Sequence, residues 1–121
     1  MIEHGRFDPH EFDAELAIAA SNHEVGSTLL LENEAVRVWE VRLDPGGRCP
    51  FHAHAHDYFW TCVSGGTGRQ RSPEGTLKVG RYEIGETQFS EHSIAVPLVH
   101  DLENVGDTVL RFVTVELLRE R

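Results

Sequence analysis

The chain has 121 residues, of which 40% are hydrophobic and 26% charged, enough for one packed domain and no second. A formal net charge of −9 leaves no clustered positive surface for phosphate backbones, so nucleic acid is excluded as a partner. No apolar run approaches the roughly 20 residues of a membrane helix, so no membrane partner is expected. Met1 to Asp8 carry charge and no apolar core, so no signal peptide is expected and the location is expected to be cytoplasmic. Cys49 and Cys62 are then expected to be free thiols.

Residues 1–24 read as an N-terminal helical extension. Asp8 is a good N-cap, Pro9 suits the first helical position and Glu11 completes a capping-box spacing. Phe12, Leu16 and Ala19 or Ala20 then share one face, expected to pack across the mouth or on the outside of a barrel. From Val25 the pattern changes to short segments rich in β-branched and aromatic residues. These are Thr28–Leu31, Val36–Leu43, Tyr58–Ser64, Gly68–Ser72, Thr76–Ile84, Thr87–Ser90, Val99–Asn104 and Val109–Leu118. Turn residues such as Asp44-Pro45-Gly46-Gly47, Pro73-Glu74-Gly75 and Gly85-Glu86 separate them. Strands at this spacing predict an all-β sandwich or barrel over 25–119, preceded by one short α-helix.

Eight histidines are unusual for this length, and three of them form a pattern. His52 and His54 lie in Pro50-Phe51-His52-Ala53-His54-Ala55-His56-Asp57-Tyr58. On a strand, residues i and i+2 point the same way, roughly 6–7 Å apart, so both imidazoles can reach one ion. His100, on a later strand after Pro97, supplies a third nitrogen from across the barrel. His56 could add a fourth. His4, His10 and His23 are expected at the surface, and His92 near the rim of the pocket. Asp57 is a candidate acceptor for a ligand imidazole N–H. Strict alternation from Tyr58 puts Trp60 and Cys62 on the inward face, with Thr114 and Glu116 of the last strand adding polar groups to the same substrate pocket. Cys49 is either a loop thiol or a group near the pocket mouth.

Gly46 to His54 resembles the first motif of the cupins, a glycine, five residues and His-x-His. Tyr58 to Gly65 is similar to the strand and turn glycine that close that motif. Gly85 followed by Pro97-Leu98-Val99-His100-Asp101-Leu102-Glu103-Asn104 resembles the second motif, with its His-x-x-x-Asn core. The resemblance covers about residues 25 to 118. It implies a small single-domain cupin, a double-stranded β-helix or jelly-roll barrel. It also implies one divalent transition metal (Fe, Mn, Ni or Zn) at His52, His54 and His100. Asp57-Tyr58, His100-Asp101 and Phe112 to Leu117 look like a small-cupin subgroup associated with β-alanine degradation.

The chain departs from the pattern at Tyr58, where many cupins carry a glutamate ligand, and at Ala95 and Pro97, where proline and glycine are expected. A phenol there can ionise and bind the ion, stay neutral and donate a hydrogen bond, or simply line the wall; hydrogen bonding is the favoured role, which makes Tyr58 the candidate catalytic residue. Three-histidine sites resemble those of thiol dioxygenases, and small cupins also include decarboxylases, isomerases and lyases. The leading reading is a metal-dependent enzyme acting on a small carboxylate- or carbonyl-bearing metabolite. The alternative is a non-catalytic cupin that binds metal and ligand. Phe59, Thr61 and Val63 leave the outer face of their strand apolar, which predicts cover by the N-terminal helix or by a second copy, and a homodimer is the expectation.

Overall fold

The protein is seen here as a computed structural model that describes residues 2–119. In chain order its elements are β1 (Ile2–Arg6), a 3-10 turn (Pro9–Phe12), α1 (Asp13–Ala19), β2 (Thr28–Glu32), β3 (Val36–Leu43), β4 (Arg48–His54) and β5 (Asp57–Ser64). They continue with β6 (Gly66–Arg71), β7 (Thr76–Tyr82), β8 (Thr87–Ser90), β9 (Leu98–Asn104) and β10 (Leu110–Leu117). Two five-stranded antiparallel sheets result, one ordered β1-β7-β6-β9-β4 and the other β2-β3-β10-β5-β8. The all-β expectation with one short helix holds.

The sheets close on each other because their strands alternate. Leu110, Phe112, Thr114 and Glu116 of β10 are buried, while the residues between them are half-exposed. At one end of the barrel Val41, Leu43, Cys49, Cys62, Leu110 and Phe112 form a dense core. Leu110 is fully buried, which is worth roughly 2–3 kcal/mol of hydrophobic stabilisation. Tight turns set the strand lengths. Gly47 N–H donates to the Asp44 carbonyl (2.7 Å), and Gly46 between them has φ +84°, which glycine adopts without strain. Asn104 ties another corner, donating to the carbonyls of Leu43 and Thr108 while its own oxygen accepts from Gly106.

The segment 1–24 is not helical throughout. Ile2–Arg6 pairs antiparallel with β7 from Ile2↔Gly80 to Arg6↔Thr76, so the chain enters as a strand of the first sheet. Asp8 caps as expected, accepting from His10 N–H (3.0 Å), but the turn it caps is 3-10 and α1 begins at Asp13.

α1 and the loop after it lie on the outside of the barrel, along the free edge of β4. Glu15 Oε1 accepts from Phe51 N–H (2.6 Å) and Asn22 Nδ2 donates to the Phe51 carbonyl (3.0 Å). Ala53 N–H donates to the Asn22 carbonyl (2.8 Å), and His23 Nδ1 meets the Ala53 carbonyl (3.2 Å). An edge strand left bare would expose these groups as a template for aggregation, and here the extension satisfies them. Phe7 and Phe51 stack beneath, with Phe12 edge-on to both and the guanidinium of Arg48 4.7 Å from the Phe12 ring centre.

Candidate metal centre

Pairing across β4 and β9 sets His52 directly opposite His100, with His54 opposite Leu98. All three imidazoles point between the sheets. The register slips between Cys49 and His52, a bulge that leaves Phe51 N–H for Glu15 and brings Cys49 and His52 to the same side. Strict alternation would have separated them. Cys49 is therefore no loop thiol: it is buried on β4 with Sγ 3.7 Å from His52 Nδ1. Burial, and then the Asp101 carboxylate, push its thiol up to about 11, so it stays protonated.

The His54 Nε2 atom lies 3.0 Å from that of His52 and 3.1 Å from that of His100, and one nitrogen from each of the three falls within 4.8 Å of the others. The rings are inclined to one another by 69–70°. His52 Nδ1 donates to the Pro50 carbonyl (2.7 Å) and His100 Nδ1 to Gln70 Oε1 (3.0 Å), which leaves each Nε2 with a lone pair. His54 Nδ1 has no partner, so the crowding of the three Nε2 atoms is relieved either by a proton on His54 Nε2 or by a cation among them. Three nitrogens about 2.0–2.1 Å from one ion at angles of roughly 90–110° are about 2.9–3.4 Å apart, so the two separations fit a divalent transition metal. Burial holds all three imidazoles below their usual range, and repulsion from neighbouring imidazoles pushes His54 and His100 farther down, so they are neutral donors.

The fixed partners of the ligand rings are Pro50 O and Gln70. Gln70 is in turn oriented by donating to Tyr82 Oη (2.7 Å). Nothing in the sequence marked it, because one glutamine in a polar strand carries no pattern. Asp57 has a different part from the one expected: its Oδ1 accepts from His92 N–H (3.0 Å). Behind β9, Asp101 is fully buried between Arg48 (2.9 Å) and Arg71 (2.7 Å), and Arg48 reaches on to Glu15. That ion network locks the strand that presents His100 to α1 and β6.

Tyr58 stands flat on His54, ring centres 4.0 Å apart and planes 12° from parallel. Burial pushes its phenol up to about 12, against a hydrogen bond with Ser90, so at neutral pH it keeps its proton. Ser90 Oγ lies 2.6 Å from His92 Nε2, and the His92 ring lies over the far side of Tyr58 with centres 5.7 Å apart. His92 thus reaches the site through Ser90 and Tyr58.

The cavity in front of the triad measures about 290 Å³. Trp60 lines it as expected, packed edge-on with Tyr82 and Phe112 into an aromatic wall with ring centres 5.1–5.5 Å apart. Thr114 also lines it. Three sequence expectations need correction. Cys62 points inward but sits deeper, in the core beneath the aromatic wall, and does not reach the cavity. Glu116 points inward at the other end of β10, where Trp39 Nε1 (2.7 Å) and Arg37 (3.4 Å) donate to its carboxylate. His56 lies outside the three-histidine group and lines a separate hollow with Glu116.

Solved structures share this fold. The chain has the cupin fold, the double-stranded β-helix. It is similar to a cupin domain from Bordetella pertussis at 29% identity, covering 74% of this chain and 88% of that one, with a TM-score of 0.65. A double-stranded β-helix protein from Klebsiella pneumoniae matches at 23% identity over 74% and 73% of the two chains, TM-score 0.58. A Bacillus subtilis oxalate decarboxylase variant matches at 20% identity over 73% of this chain and 23% of that one, TM-score 0.54. No family model matches the chain, and no curated protein does.

Proposed function

We propose that the chain is a metal-dependent enzyme acting on a small carboxylate- or carbonyl-bearing metabolite. The convergence of the His52, His54 and His100 Nε2 atoms at one wall of a small cavity carries this reading. When bound there, a divalent Fe, Mn, Ni or Zn ion supplies Lewis acidity and, for iron or manganese, redox chemistry. Three neutral imidazoles leave its charge uncancelled, which favours an anionic oxygen of the substrate. The phenol of Tyr58 keeps its proton and lines the cavity beside His54, which supports a hydrogen-bond-donating role. Trp60, Tyr82 and Phe112 hold the apolar body of the substrate and keep water from it. At about 290 Å³ the cavity suits a metabolite of a few carbons.

The test joins elemental analysis with turnover. His52→Ala, His54→Ala and His100→Ala should each abolish metal retention, whereas His4→Ala and His56→Ala should not. Iron with O₂ uptake would mark an oxygenase; anaerobic turnover with Zn, Mn or Ni would mark a lyase or isomerase. Tight metal binding without turnover of any small oxo or carboxylic acid would leave a binding module instead. The likeness of Asp57-Tyr58, His100-Asp101 and Phe112 to Leu117 to the β-alanine-degradation cupins supports a carboxylate substrate. The buried free thiols support a reducing, cytoplasmic setting; among the described residues no helix is long and apolar enough to cross a membrane.

We also read the protein as a homodimer. α1 packs against β4 in the other sheet and leaves Val63 and Phe89 exposed outside β5 and β8, beside Phe59. A monomeric mass in sedimentation at micromolar concentration would overturn this.

A further inference from the structure

Lys78 is the only lysine in a chain of net charge −9. Among residues 2–119 every arginine except Arg6 pairs with a carboxylate, but no described carboxylate pairs with Lys78. Lys78 is exposed, and its side chain stands at the mouth of the cavity: Lys78, Gly80 and Tyr82, alternate residues of β7, all line it. Lys78 is the direct cross-strand neighbour of Gln70, the residue that holds His100, so its stem starts two strands beyond His100, with β6 between. The glycine at 80 opens the floor between Lys78 and the aromatic wall, where an added Cβ would meet only Ile2 at 3.6 Å. Glu86 also lines the cavity, but its two oxygens accept from Glu83 N–H and the Gln88 amide.

We propose that Lys78 anchors an anionic group on the outer end of a ligand whose inner end meets the metal, so that the substrate carries two separated charged ends across the aromatic wall. This deepens the metal-dependent reading and rests on it. An ammonium at the mouth of a cavity recognises carboxylate and phosphate alike, as a point charge without a fixed fork. A charge-assisted hydrogen bond there is expected to change affinity by roughly tenfold or more.

Calorimetry on the Co(II)-loaded protein with three four-carbon-scale probes tests it: succinate, 3-phosphonopropionate and butanoate. Wild type should bind at least one dianion about tenfold tighter than butanoate, and the tighter dianion identifies the outer group as carboxylate or phosphate. Lys78→Met should reduce that dianion to the level of butanoate with cobalt content unchanged, and Lys78→Arg should keep most of the preference. Equal affinity of wild type for all three, or an undiminished preference in Lys78→Met, would overturn the anchor while leaving the metal site standing. Failure of wild type to take up cobalt would overturn the metal reading and the two-ended ligand with it.

Discussion

Gln70→Leu isolates the residue on which His100 depends. The substitution keeps roughly the same volume but removes the oxygen that accepts from His100 Nδ1 at 3.0 Å and the amide that donates to Tyr82 at 2.7 Å. In the metal-free protein the His100 ring can turn to seek another acceptor. Once Nε2 holds an ion the ring is fixed, and Nδ1–H must face an apolar side chain. An unsatisfied buried donor costs about 1–3 kcal/mol, so the penalty falls on the loaded state. A metal affinity about 10- to 100-fold weaker is expected, the range found when a ligand histidine loses its hydrogen-bond partner. Competition against a chromophoric chelator measures it, with circular dichroism confirming the fold. Gln70→Glu should bind as well as wild type or better, because a carboxylate accepts more strongly from the same N–H. Tyr82→Phe should cost less than Gln70→Leu, since it only loosens the glutamine. A Gln70→Leu protein with native structure and wild-type affinity would refute the reasoning.

Tyr58→Phe should retain metal and lower turnover roughly 100-fold, as loss of a positioned hydrogen-bonding group does. Its ionisation state can be read separately: the ferric protein should show no phenolate charge-transfer band at neutral pH, and a band that Tyr58→Phe removes would make the tyrosine a ligand. Stability of the metal-free protein should fall as the pH drops below 6.5. Burial holds His52, His54 and His100 below that value in the fold, so the unfolded chain takes up the protons that the folded triad refuses. Glu15, whose hydrogen bonds from Arg48 and Phe51 outweigh its burial, is held below 4.5 and contributes a further loss only under that pH. Urea midpoints from pH 8 to 5 would contradict this by staying level.

The sequence showed the triad because the chemistry repeats at strand spacing: two histidines with one alanine between can only point together. Alternation also identified Trp60, Cys62 and Glu116 as inward residues, correctly as to face. It could not say how deep along the barrel each falls, and so Cys62 lies in the core and Glu116 at the opposite end. The bulge at Pro50-Phe51 broke the same rule near Cys49, where the Phe51 amide goes to a carboxylate 36 residues earlier rather than to a neighbouring strand. β1 was missed for a related reason. Ile2-Glu3-His4-Gly5-Arg6 has one apolar residue and a glycine, and becomes a strand only because the edge of β7 offers it a partner.

The fringe of hydrogen bonds along the outer edge of β4 ties the kinetics of two parts of the molecule together. The Phe51 amide is held by Glu15 of a seven-residue helix, not by a neighbouring strand. Short helices on a domain's periphery open far more often than the sheets they cover. Hydrogen exchange at Phe51 is therefore expected to follow the breathing of α1 and to be much faster than at Arg111 or Val113 in the centre of the other sheet. Each such opening frees the backbone one residue before His52. The firmness with which β4 presents His52 is then expected to depend on α1, a helix outside the barrel.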